Sequence, residues 1–137
     1  MDFLQFLLPS NARLEGHWKR IGDHFDGCIL EVSSAGGSLA GRLIHVPPAM
    51  ADVGWLEGDL KWQAFRKPTA TSWRVQDIRK HYDQRAKTVV QTDTREYWLT
   101  LGGETSLRLH SAPLPFFPDQ RWTRIPDQPS KARISSS

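Results

Sequence analysis

Trp55-Leu56-Glu57-Gly58-Asp59-Leu60-Lys61-Trp62-Gln63-Ala64-Phe65-Arg66 is the stretch whose pattern decides the fold. Successive side chains of an extended chain point to opposite sides, so Leu56, Leu60, Trp62 and Ala64 share one face and Glu57, Asp59, Lys61 and Gln63 the other. Alternation of this length predicts a long strand with one face in a core and the other in solvent. Gly58 in its middle predicts a bend or bulge, as a sheet that closes on itself needs.

The same period continues on both sides. Downstream, residues 67–71 turn the chain and residues 72–80 predict a strand with Trp73, Val75, Asp77 and Arg79 on one face. A polar loop at 81–86 precedes strands at 88–92, 97–101 and 106–110, and a proline-rich connection at 113–118 leads to a closing strand at 121–125. Upstream, residues 38–46 bring Leu39, Gly41 and Leu43 together, and a Gly36-Gly37 hairpin joins them to a strand at 26–33 carrying Cys28, Leu30 and Val32. A first strand covers 14–21. Local turns and the want of a helix long enough for a parallel crossover predict an all-β fold. The expected architecture is an antiparallel up-and-down β-barrel of about eight to nine strands, because closure removes exposed edges. All six tryptophans fall within the predicted strands.

The ends differ from this middle. Residues 1–9 hold Phe3, Leu4, Phe6, Leu7 and Leu8 before Pro9, which predicts a short N-terminal helix. The barrel domain is placed at 10–126, and the polar segment 127–137 is expected to be a disordered tail. The 137 residues, 39% hydrophobic and 24% charged, suit one globular domain that needs no disulfide to hold its core. Cys28 is the one cysteine, which excludes a disulfide scaffold, and Asp2 stands where a signal peptide carries basic residues. A cytoplasmic protein is therefore expected. No apolar run approaches the ~20 residues of a membrane-spanning helix.

Gly16-His17-Trp18 on the first strand, with Arg124 or Arg121 on the last, resembles the signature of the lipocalins and the wider calycin barrels. In that family the tryptophan lies at the closed end with the arginine packed over it, so Gly16, Trp18 and Arg124 are implied as structural residues. The resemblance also implies a cavity at the open end for a small apolar or amphipathic molecule. The chain departs from secreted lipocalins in its lone cysteine and short strands.

Trp62 and Trp73, on neighbouring predicted strands, are the expected pocket wall together with Leu60, Val75 and Leu99. Asp77 and Arg79 follow on the face of Trp73 and Val75. They are polar anchors if that face is interior, and rim residues if the strand leaves the barrel near Asp77. No catalytic residue, metal site or cofactor is expected. The five histidines show neither H-x-H nor H-x-x-x-H spacing, Cys28 reads as a small core residue, and no nucleophile motif is present. The positive charge lies in the second half, where residues 69–137 carry eleven Lys and Arg against seven acids. Asp77, Asp83, Asp93 and Glu96 break up the basic cluster there, so nucleic acid is not the expected partner.

The resulting expectation is a non-enzymatic binding protein for a small hydrophobic or amphipathic ligand. An interaction module is the alternative, with a filled barrel docking onto a protein partner or a second copy through the apolar N-terminus or the 113–118 connection. An isomerase or hydrolase using the same cavity is a remote third.

Overall fold

A computed structural model describes residues 11–66, 69, 71–111 and 118–129. The strands are β1 (Gly16–Ile21), β2 (Ile29–Ala35), β3 (Ser38–His45), β4 (Leu60–Arg66), β5 (Ser72–Asp83), β6 (Thr88–Gly102), β7 (Ser106–His110) and β8 (Gln120–Ile125). Each pairs antiparallel with its neighbours in sequence and β8 closes onto β1, so the expected up-and-down barrel is formed, with eight strands. Among the described residues two single-turn helices accompany it, α1 (Asn11–Leu14) and α2 (Pro48–Ala51). The helix expected at 1–9, the 113–118 connection up to 117, and the tail beyond 129 lie outside the described residues. No helix among the described residues is long and apolar enough to cross a membrane.

Alternation packs the interior. Trp18, Leu30, Leu43, Trp62, Trp73, Val75, Leu99, Leu107, Leu109 and Trp122 are all essentially inaccessible to solvent. Gly41 makes room for this crowding: a Cβ there would lie 2.8 Å from Leu30 Cδ2 and 3.0 Å from Trp62 Cβ, so a side chain would displace the indole.

Three expectations are corrected. The segments 88–92 and 97–101 are one fifteen-residue strand, β6, whose pairing with β5 continues from Ser72↔Thr100 to Asp83↔Thr88 and takes residues 81–83 out of the expected loop. The strand expected from Trp55 begins only at Leu60. Trp55 belongs instead to the β3–β4 connection, with Gly58 in a turn and Leu56 exposed. Finally, the alternation within β4 is broken twice. Arg42↔Leu60 is followed by Gly41↔Trp62, which leaves Lys61 as an extra residue, and Gln63↔Gln76 is followed by Arg66↔Arg74, where Ala64 takes a positive φ of 54°. The first bulge buries Lys61 beside Trp62, although the even count put Lys61 in solvent.

Candidate functional site

At one end of the barrel Trp18 Nε1 donates to Leu14 O at 2.9 Å, and the Arg124 guanidinium sits 4.3 Å from the Trp18 ring centroid. Arg124 donates to Glu104 O and Glu15 O at 2.7 Å each, and to Arg13 O. Gly16 completes this plug, since a Cβ there would lie 2.6 Å from Arg124 Nη1 and its φ of +132° disfavours any other residue. Of the two candidate arginines, the one over Trp18 is Arg124, while Arg121 is exposed.

The opposite end holds the buried polar groups. Lys61 Nζ donates to Ile78 O at 2.7 Å and pairs with Asp77 Oδ1 at 2.9 Å, and Trp62 Nε1 donates to the same oxygen at 3.1 Å. Both charged groups are almost fully buried. Desolvation pushes the Asp77 carboxyl above its ordinary value and the Lys61 ammonium below its own, and each charge partly offsets the shift of the other. Cys28, on the neighbouring wall, is pushed up to about 12 by burial and stays a thiol. Below this layer Trp62 and Trp122 meet edge to face, with centroids 5.0 Å apart.

The β3–β4 connection folds over this end. Trp55 has two ammonium groups against its ring, Lys61 Nζ at 4.5 Å and Lys80 Nζ at 4.7 Å from its centroid. Lys80 also donates to Gly54 O at 2.8 Å and pairs with Asp59 at 2.7 Å, latching the connection to β5. Met50 on α2 is fully buried under the same cover. Arg20 reaches this end from β1: its Nε bonds both Asp23 oxygens, at 3.0 and 2.8 Å, and its guanidinium carbon lies 5.2 Å from the Phe25 ring centroid and 5.8 Å from that of Trp122.

The residues expected in the pocket wall divide accordingly. Trp62 and Asp77 are bonded to each other, and Trp73, Val75 and Leu99 are inside, with Trp73 opposite Leu99 in the β5–β6 register. Leu60 is only half-buried and outside the core cluster, because the bulge at Lys61 takes it off the Trp62 face. Arg79 does not join Asp77. It stands where β5 has left the barrel, bonded to Asp93, which also bonds His81. Among these three the Arg79 hydrogen bond does most to hold the Asp93 carboxyl below the ordinary range. Sequence reading missed Arg20, Lys61, Trp55 and Gln120 at this end. Arg20 alone carried a signal, as a charge in phase with Trp18 on β1.

A groove of about 270 Å³ lies elsewhere, on the outer wall at the second β4 bulge, lined by Ala64, Phe65, Arg66, Gln76 and Glu96. Compared with known proteins, the chain matches no family model, no curated protein and no solved structure.

Proposed function

We propose that the protein binds a small amphipathic molecule at the open end of its barrel, under the cover formed by the β3–β4 connection. The observation that carries this reading is the polarity of that end. A barrel built only to fold gains nothing from burying Lys61 and Asp77, whose desolvation costs several kcal/mol per ion and is offset only by good partners. Polar groups set among Trp55, Trp62, Trp122 and Met50 give the mixture of apolar wall and few oriented polar atoms that ligand sites use. Lys80 is one of the ties on the cover, through one carbonyl and one carboxylate that water can replace, beside the Arg42 bond to Gly58 O and the backbone pairing of Gly58 and Asp59 with Leu43. Trp18 under Arg124, in an eight-stranded antiparallel barrel, supports a lipocalin-like assignment. The free Cys28 fits a protein of the cytoplasm.

The test is titration with N-phenylnaphthylamine, a neutral fluorescent amphiphile, followed by energy transfer from tryptophan. Saturable uptake at one site is expected, faster in Lys80→Met, which lacks the latch. Want of saturable uptake by either protein overturns the reading. A second reading, a filled barrel serving as an interaction module, is favoured by the dense indole packing of Trp18, Trp62, Trp73 and Trp122. It predicts no uptake, together with a protein partner.

A further inference from the structure

Two side chains at the open end hold hydrogen-bond donors with no acceptor. Arg20 is largely buried, and its Nε alone is engaged, by Asp23; among the described residues nothing accepts from Nη1 or Nη2, which are not sealed in the core but reach solvent at this end. Gln120, also buried, accepts from Trp122 Nε1 at 3.1 Å through Oε1. An indole nitrogen donates only, so the amide oxygen must face it and the Gln120 Nε2 hydrogens must point elsewhere, again with no acceptor among the described residues. The two groups flank one ring: Arg20 is opposite Trp122 in the β1–β8 register, and Gln120 precedes Trp122 by two residues on the same face of β8.

The acids nearby are already engaged. Asp23 serves Arg20 Nε and the Phe25 amide, and Asp77 serves Lys61 and Trp62. The place therefore offers donors and a guanidinium without a competing acceptor, beside aromatic faces of Trp122 and Phe25. Those are the requirements of an anionic oxygen head on an apolar body.

We propose that Nη1 and Nη2 of Arg20 and Nε2 of Gln120 form an anion subsite for the carboxylate, sulfonate or phosphate head of a small amphiphile. The subsite rests on the binding function proposed above and names the chemical class of its ligand.

The experiment compares two probes of one aromatic scaffold, anilinonaphthalene sulfonate and neutral N-phenylnaphthylamine, on the full chain. The sulfonate is expected to bind about tenfold more tightly, the worth of one or two charge-assisted hydrogen bonds. Arg20→Gln should abolish that preference. Gln120→Glu should do the same while keeping an oxygen for Trp122 Nε1, and so stands as the test where Arg20→Gln fails to fold. Equal binding of the two probes by the parent protein, or a preference that survives both substitutions, overturns the anion subsite and leaves the binding function standing. Failure of both probes to bind saturably overturns the two together.

Discussion

The β1–β8 ladder contains the same pair twice, in opposite order. Trp18 on β1 faces Arg124 on β8, and two residues further along Arg20 on β1 faces Trp122 on β8. The first pair is stacked at 4.3 Å and its arginine donates to three backbone carbonyls. The second lies at 5.8 Å and, among the described residues, its arginine hydrogen-bonds Asp23 alone. One arginine ties down the chain at Arg13, Glu15 and Glu104, whereas the other is tied by a single residue of its own turn. Cross-strand arginine and indole thus make a plug when the donors meet carbonyls, and leave donors for the proposed ligand when they do not.

The largest effect that would sharpen this comparison lies at the open end. Lys61→Met leaves the buried Asp77 carboxylate with Trp62 alone and should cost about 3–5 kcal/mol of stability, measured by denaturant unfolding. The double variant Lys61→Met with Asp77→Asn removes both charges while keeping an oxygen for Trp62 Nε1, and should recover most of that loss. Such recovery would mean that the charges are kept for something other than stability. A double variant no more stable than Lys61→Met would make the pair an ordinary support of the fold.

Next in size are the two arginines. Arg124→Met gives up three hydrogen bonds to carbonyls and a cation–π contact, and should cost about 2–3 kcal/mol while leaving probe uptake unchanged. Arg20→Met gives up a largely buried carboxylate pair with Asp23 and its contacts with the Phe25 and Trp122 rings, and should cost about 1–2 kcal/mol, yet lower the affinity for the anionic probe. Equal stability losses, or equal effects on uptake, would erase the distinction between the ends.

How far the sequence reveals these ends follows from its period. Trp73, Val75, Asp77 and Tyr97, Leu99, Leu101 sit in regular ladder, and even counting puts them inside. The Trp18 end was legible through the calycin resemblance, which implied Gly16, Trp18 and either Arg124 or Arg121 as structural residues, and β1 and β8 pair there without a shift. The open end was not. Its character depends on a bulge that inserts Lys61, on a connection that carries Trp55 out of the sheet, and on β5 leaving the barrel between Asp77 and Arg79. A bulge shifts register by one residue without altering composition, so the stretch with the cleanest alternation concealed two of them. Leu60 was misplaced for that kind of reason, and alternation alone left Arg79 open between the interior and the rim, where it lies.

The smallest effect reads the same contrast in time. Cys28 is fully buried on the wall of the open end and its thiol is pushed up to about 12, so thiolate forms only when the site is exposed. Its folded-state value lies above the ordinary 9.0. The stability it contributes is therefore complete below pH 9 and falls as pH rises from 9 towards about 12. Comparison of the parent protein with Cys28→Ala should show the steeper decline in the parent, since Tyr97, also raised by burial, contributes to both. At neutral pH, reaction of Cys28 with iodoacetamide then counts openings of the cover. Lys80→Met, which releases one of the ties on the connection, should quicken it severalfold beyond what its own loss of global stability requires, because the connection can open locally without unfolding the barrel. Arg124→Met, whose arginine binds the opposite end, should quicken it only as much as its loss of global stability requires. Labelling that responds alike to both substitutions would mean that the thiol is reached only by unfolding of the whole barrel, and the open end would then be no more mobile than the plugged one.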